Sequence, residues 1–168
     1  MELQMQQSHR WRRRLPDWSA AVGAGLVAGA VLMVLELLWT TTVTGGSPWR
    51  SSHAIAAMVL GPDALQSSEF DLGVVAVALF THYMLGVVFA VVLAIIIAGF
   101  QYEANPGVLQ TIGVVFGSAL YLLNFHAMAK FFPWIADLRG WSAFIGHLVF
   151  GLTVVLTYPW LERRGADR

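Results

Sequence analysis

The stretch that decides the fold is residues 70–100, Phe70-Asp-Leu-Gly-Val-Val-Ala-Val-Ala-Leu-Phe-Thr-His82-Tyr-Met-Leu-Gly86-Val-Val-Phe-Ala-Val-Val-Leu-Ala-Ile-Ile-Ile-Ala-Gly-Phe100. Beyond Asp71 its one side chain that ionises near neutral pH is His82. At about 1.5 Å per residue such a helix is long enough to cross a hydrocarbon core roughly 30 Å thick. The same reading picks out residues 18–43, 107–132 and 141–161 as further spans. Tryptophans mark the edges: Trp11, Trp18, Trp39, Trp49, Trp134, Trp141 and Trp160. Tryptophan favours the headgroup level, where its ring is apolar and its N–H is wet.

Composition agrees with this reading. The 168 residues are 57% hydrophobic and 12% charged, against about 25% charged in an ordinary soluble domain. There are too few charges to solvate a globular surface, so the predicted fold is an all-α integral-membrane four-helix bundle forming one transmembrane domain. The net charge is zero, which gives nucleic acid no electrostatic reason to bind. The chain contains no cysteine, which excludes disulfides, Cys-ligated iron–sulfur clusters and covalent haem attachment. The basic start of span 1 resembles a signal peptide, but the apolar run is too long, contains Glu36 and lacks a small-residue cleavage site.

Orientation follows from positive charge. Arg10, Arg12, Arg13 and Arg14 precede span 1, and Arg163, Arg164 and Arg168 follow span 4. The opposite side carries only Arg50, Lys130 and Arg139. Both termini, residues 1–17 and 162–168, are therefore expected in the cytoplasm. The N-terminal arginines with Trp11 read as a topology anchor able to touch anionic lipid.

The two halves of the chain match. Span 1 reads Gly25-Leu-Val-Ala-Gly29-Ala-Val-Leu-Met-Val-Leu-Glu36, and span 3 reads Gly113-Val-Val-Phe-Gly117-Ser-Ala-Leu-Tyr-Leu-Leu-Asn124. Span 2 has His82 four residues before Gly86, and span 4 has His147 four residues before Gly151. This register predicts two parallel two-helix repeats, spans 1–2 and spans 3–4, about an axis along the membrane normal. The first half has the longer connection. It holds Ser47-Pro48-Trp49 and an apolar stretch over residues 53–60, too short to span and so expected as an interfacial or re-entrant helix.

Ionisable groups inside a bilayer cost about 2.5–3.5 kcal/mol each, so each one asks for a reason. Glu36, Asn124, His126 and His147 fall at roughly 9–12 Å from the outer ends of their spans, and His82 at about 13–18 Å. They form the candidate ligand-binding set. Several chemistries are open to it. His82 and His147 could take the two axial positions of haem b, with Gly86 and Gly151 leaving room for the macrocycle. His82, His147, Glu36 and His126 could instead hold a divalent metal, with Asn124 behind them. A Glu/His group at a repeat interface also suits small-solute or ion transport. An intramembrane metal-dependent enzyme would further need a water position and a general base, and no residue pattern supplies them. The structural alternative is an accessory subunit whose polar residues only lock the helices together. Gly25, Gly29, Gly86, Gly113, Gly117 and Gly151 read as packing positions, within the bundle or between copies of a homo-oligomer or larger membrane complex. His53 reads as an exposed histidine of the outer connection. Asp63, Glu69, Asp71, Glu103 and Asp137 read as solvated charges at connections and span ends.

Taken together, the Gly-rich first span with Glu36, Ser47-Pro48-Trp49, Thr81-His82-Tyr83, Leu123-Asn124-Phe125-His126, Phe132-Pro133-Trp134 and Gly146-His147-Leu148-Val149-Phe150-Gly151 resemble a group of small bacterial four-span inner-membrane proteins with no established activity. The resemblance covers roughly residues 20–159. It implies a bacterial plasma-membrane location and supplies no substrate or cofactor.

Overall fold

A computed structural model describes residues 15–100 and 106–166. The arginine arm with Trp11, Glu103 and Arg168 lie outside the described residues. The described residues are helical, with no strand among them. Helix α1 is Trp18–Trp39, α2 is Arg50–Leu60, α3 is Leu72–Phe100, α4 is Pro106–Leu122 and α5 is Trp141–Ala166. α1 continues as a wider π-turn over Thr40–Thr44, and α4 as one over Leu123–Ala127. With these extensions, four segments among the described residues are long and apolar enough to cross a membrane: Trp18–Thr44, Leu72–Gly99, Pro106–Lys130 and Trp141–Gly165.

Local chemistry explains where these helices begin and end. Asp17 caps α1, its carboxylate accepting the Ala20 N–H at 3.0 Å and the Ser19 hydroxyl at 2.6 Å. At the other end of α1 the hydroxyls of Thr41, Thr42 and Thr44 donate to the carbonyls of Leu37, Leu38 and Thr40. Such back-bonding competes with the helical ladder and loosens the last turns. The segment then stops at Gly45, whose φ of 61° is the left-handed conformation a glycine adopts without strain. Gly61 closes α2 differently, at φ 92° and ψ 172°, an extended positive-φ conformation that glycine alone adopts readily.

The Asp17 cap yields a prediction. Its carboxyl is held below the usual carboxylate range, chiefly by the Ser19 hydroxyl and then by the Ala20 N–H. A lowered folded-state value means that the stabilisation is complete above the unfolded-state pKa and lost as pH falls through the folded one. Asp17→Ala should cost about 1 kcal/mol at neutral pH. In thermal unfolding of the purified protein, that difference from wild type should close under strongly acid conditions.

Packing puts α1 and α5 in the middle, with α3 against α1 and α4 against α5. Among the described residues α3 and α4 make no comparable contact with each other. The α1–α3 and α4–α5 crossings are both backbone-close. A Cβ added at Gly25 would sit 2.7 Å from Val87 Cα and 2.9 Å from the Gly86 carbonyl. One at Gly113 would sit 2.9 Å from the Gly151 carbonyl, and ones at Gly117 and Gly151 would strike the carbonyls of His147 and Gly113. Small residues of this kind let helices approach in lipid, where no hydrophobic force drives them together.

One end of the bundle is tied by Tyr158, whose fully buried hydroxyl accepts the Asp17 N–H at 3.1 Å. The other end carries both long connections, and they touch where the Trp134 indole N–H donates to the Ala54 carbonyl at 3.0 Å. α2 lies at this connection end, packed on α3. Outward-facing positions are strongly apolar; Phe80 is 67% exposed, Val115 62% and Leu156 60%. A soluble protein does not present such a surface on every helix. Bilayer lipid is the solvent that suits it, which makes this a multi-pass membrane protein.

Candidate functional site

The connection end encloses a cavity of about 650 Å³. All four spanning segments and α2 contribute to its wall. Leu32, Leu35, Leu85, Phe89 and Phe150 give it an apolar body. Glu36, His82, Asn124 and His147 also line it, so four of the five polar residues singled out from the sequence meet in one space.

The α4–α5 crossing positions two of them. Gly117 brings the α4 backbone onto the carbonyl of His147, and Asn124 follows two helical turns later. Its Nδ2 lies 3.1 Å from His147 Nε2. The other ring nitrogen, Nδ1, donates to the Ala143 carbonyl at 2.7 Å. That bond fixes the tautomer: Nδ1 carries the proton, and Nε2 accepts from the Asn124 amide. Rings of Phe125 and Tyr121 stand edge-on to the imidazole, with centroids 5.4 Å and 6.2 Å away, and His147 is only 8% exposed.

The α1–α3 crossing does the same for His82. Its Nε2 donates to the Gly29 carbonyl at 2.9 Å, and a Cβ on Gly29 would press on the neighbouring Tyr83 ring at 3.3 Å. Glu36 lies two turns beyond Gly29. It is half-buried and lines both the main cavity and a smaller one of about 150 Å³, as does His82. Among the described residues its carboxylate makes no hydrogen bond and no ion pair.

His126 is not brought to this group. It is exposed, lies outside the cavity wall, and its ring stands edge-on to Tyr121 at 5.7 Å. His53 is not the exposed loop residue expected from sequence: it is 4% exposed. Its Nδ1 lies 2.6 Å from the Ala64 carbonyl and its Nε2 2.8 Å from the Glu69 carbonyl. It therefore ties α2 to the following turn rather than facing the cavity. A neutral ring can donate to one of these carbonyls, and only the imidazolium to both.

Three charged residues reach the cavity that sequence reasoning left at the surface. Arg50, Asp137 and Arg139 line it from the connections. The Arg139 Nε donates to the Phe125 carbonyl at 2.6 Å, which clamps the connection onto the π-turn of α4. No helical period applies to such residues, so nothing in the sequence marked them.

The arrangement also tests the metal and haem chemistries. Among the described residues no three His, Asp or Glu side chains gather in a metal-binding group. His147 has both ring nitrogens engaged, on Ala143 and on Asn124, and has no free lone pair to offer an iron. The residues do not fit a bis-histidine haem in this arrangement. No protein-family model, curated protein or solved structure matches the chain.

Proposed function

We propose that this is a membrane-embedded binding protein. Its cavity opens toward the outside of a bacterial inner membrane and takes one small amphipathic molecule, with both protein termini in the cytoplasm. The observation that carries the reading is the convergence of Glu36, His82, Asn124 and His147 on one cavity of about 650 Å³. That volume lies inside the roughly 300–1,000 Å³ typical of small-molecule sites, and an apolar wall with a few convergent polar groups is their usual make-up. The excess of arginine beside the termini supports the orientation. A purely structural lock accounts for His147 with Asn124 and for His82 with Gly29. It does not account for Glu36, a carboxylate on a spanning helix that bonds to nothing described. The matched crossings, Gly25 and Gly29 of α1 against α3 and Gly113 and Gly117 of α4 against α5, further support reading the two helix pairs as copies of one unit.

The absence of cysteine makes the test direct. Ser142→Cys places a single thiol on the cavity wall, and Ser67→Cys one on the exposed connection. In intact cells a membrane-impermeant maleimide should modify both, and the buried Leu93→Cys not at all. Millimolar phenylalkyl compounds should slow the reaction at position 142 and leave position 67 unchanged. A Ser142→Cys thiol inert from the outside, or equally fast with every compound present, would sink the reading.

A further inference from the structure

We infer that the molecule held in this cavity carries a protonated amine or a similar N–H-bearing organic cation, with Glu36 as its counter-charge. The inference deepens the binding reading above and rests on it. Its basis is the hydrogen-bonding capacity that the deep polar residues have left.

His147 has its N–H engaged by the Ala143 carbonyl and its lone pair engaged by Asn124. His82 has its Nε2–H engaged by the Gly29 carbonyl. In the neutral ring that leaves Nδ1 as an acceptor. Asn124 has given one N–H to His147 and keeps one, together with its unengaged carbonyl oxygen. Glu36 keeps both carboxylate oxygens, since it has no partner among the described residues. The capacity that remains is two carboxylate oxygens, an imidazole nitrogen and an amide oxygen against a single N–H. A head group complementary to this set is a donor, and a cationic one meets the unpaired carboxylate as well. Trp39, Phe89, Phe125 and Phe150 line the same cavity. Aromatic side chains beside a ligand favour a cation a second time.

The cavity also contains Arg50 and Arg139. Both come from the connections rather than from the spanning helices, Asp137 accompanies them, and Arg139 is already tied to the Phe125 carbonyl. They suit a rim that admits ligands, while Glu36 sets the charge of the deep site. An anionic ligand seated on these arginines is the rival, and the test separates the two.

Three matched probes differ only in the head group: 4-phenylbutylamine, 4-phenylbutanol and 4-phenylbutanoate. Each is titrated into the full chain in nanodiscs, with empty nanodiscs as the blank. The amine should bind wild type about tenfold or more tightly than either of the others. Glu36→Gln, which keeps shape and removes charge, should abolish that advantage, and Glu36→Asp should retain most of it. If alcohol and amine bind alike and Glu36→Gln changes neither, the cationic assignment fails while the binding reading stands. A preference for the butanoate that disappears in Arg139→Gln has the same meaning. Failure of all three probes to bind wild type overturns the assignment and the binding reading together.

Discussion

Gly151→Leu should separate α4 from α5, at a cost of about 3 kcal/mol or more. The Cβ of any residue at Gly151 meets the Gly113 carbonyl and lies 3.1 Å from the Gly117 nitrogen. On the facing helix, a Cβ at Gly117 meets the His147 carbonyl and lies 2.9 Å from Leu148 Cα. All of these are backbone atoms, so no rotamer change relieves them and the helices themselves must part. The parting also pulls Asn124 from His147, so binding in the cavity should fall with stability. Gly99→Ala is the control: a Cβ there meets nothing within 4 Å, and the change should stay within about 0.5 kcal/mol. Thermal unfolding in detergent reads both. Equal midpoints for Gly151→Leu and wild type would show that the two backbones do not touch.

Tyr158→Ala should be of similar size, about 4 kcal/mol. Its side chain is fully buried among the residues that join α1, α3, α4 and α5, so truncation leaves a cavity that rigid helices cannot close. Tyr158→Phe separates the ring from its hydroxyl. That hydroxyl accepts the Asp17 N–H at 3.1 Å and donates to Glu162 Oε1 at 3.4 Å, and losing it should cost about 1 kcal/mol. Stability measured across wild type, Phe and Ala should therefore fall in a small step and then a large one. A Phe variant as damaged as the Ala variant would place the stabilisation in the polar tie instead.

Much of the fold was legible because lipid demands long uninterrupted apolar runs, and four of them stand in the chain. The glycine registers were legible too, since Gly25, Gly86, Gly113, Gly117 and Gly151 do sit where backbones meet. The pairing of α1 with α5 was not. A helix face that packs on a neighbour and one that faces lipid are both apolar, so composition does not distinguish them.

Among the candidate site residues, Glu36 and Asn124 were chosen by depth as His126 was, but each also stands seven residues beyond a glycine, two turns along the same helix face. His126 was chosen by depth alone. It lies two residues from Asn124 in a π-turn, and two residues of helix rotate a side chain toward the opposite face. Depth constrains one coordinate; the azimuth decides the contact. His53, Arg50, Asp137 and Arg139 depend on how the connections fold back over the bundle, which local sequence period does not encode.

A small molecule held in the cavity would lie against Glu36, His82, Asn124 and His147. Photolabelling would find it there, using a diazirine analogue of 4-phenylbutylamine on the membrane-embedded protein and mapping the modified residues by mass spectrometry. Labels should fall on cavity-lining positions such as Leu35, Leu85 and Phe150 and be lost when excess unmodified amine competes. Labels spread over outward-facing residues such as Val92, Val115 and Leu156, and indifferent to competitor, would mean that the cavity holds no such molecule.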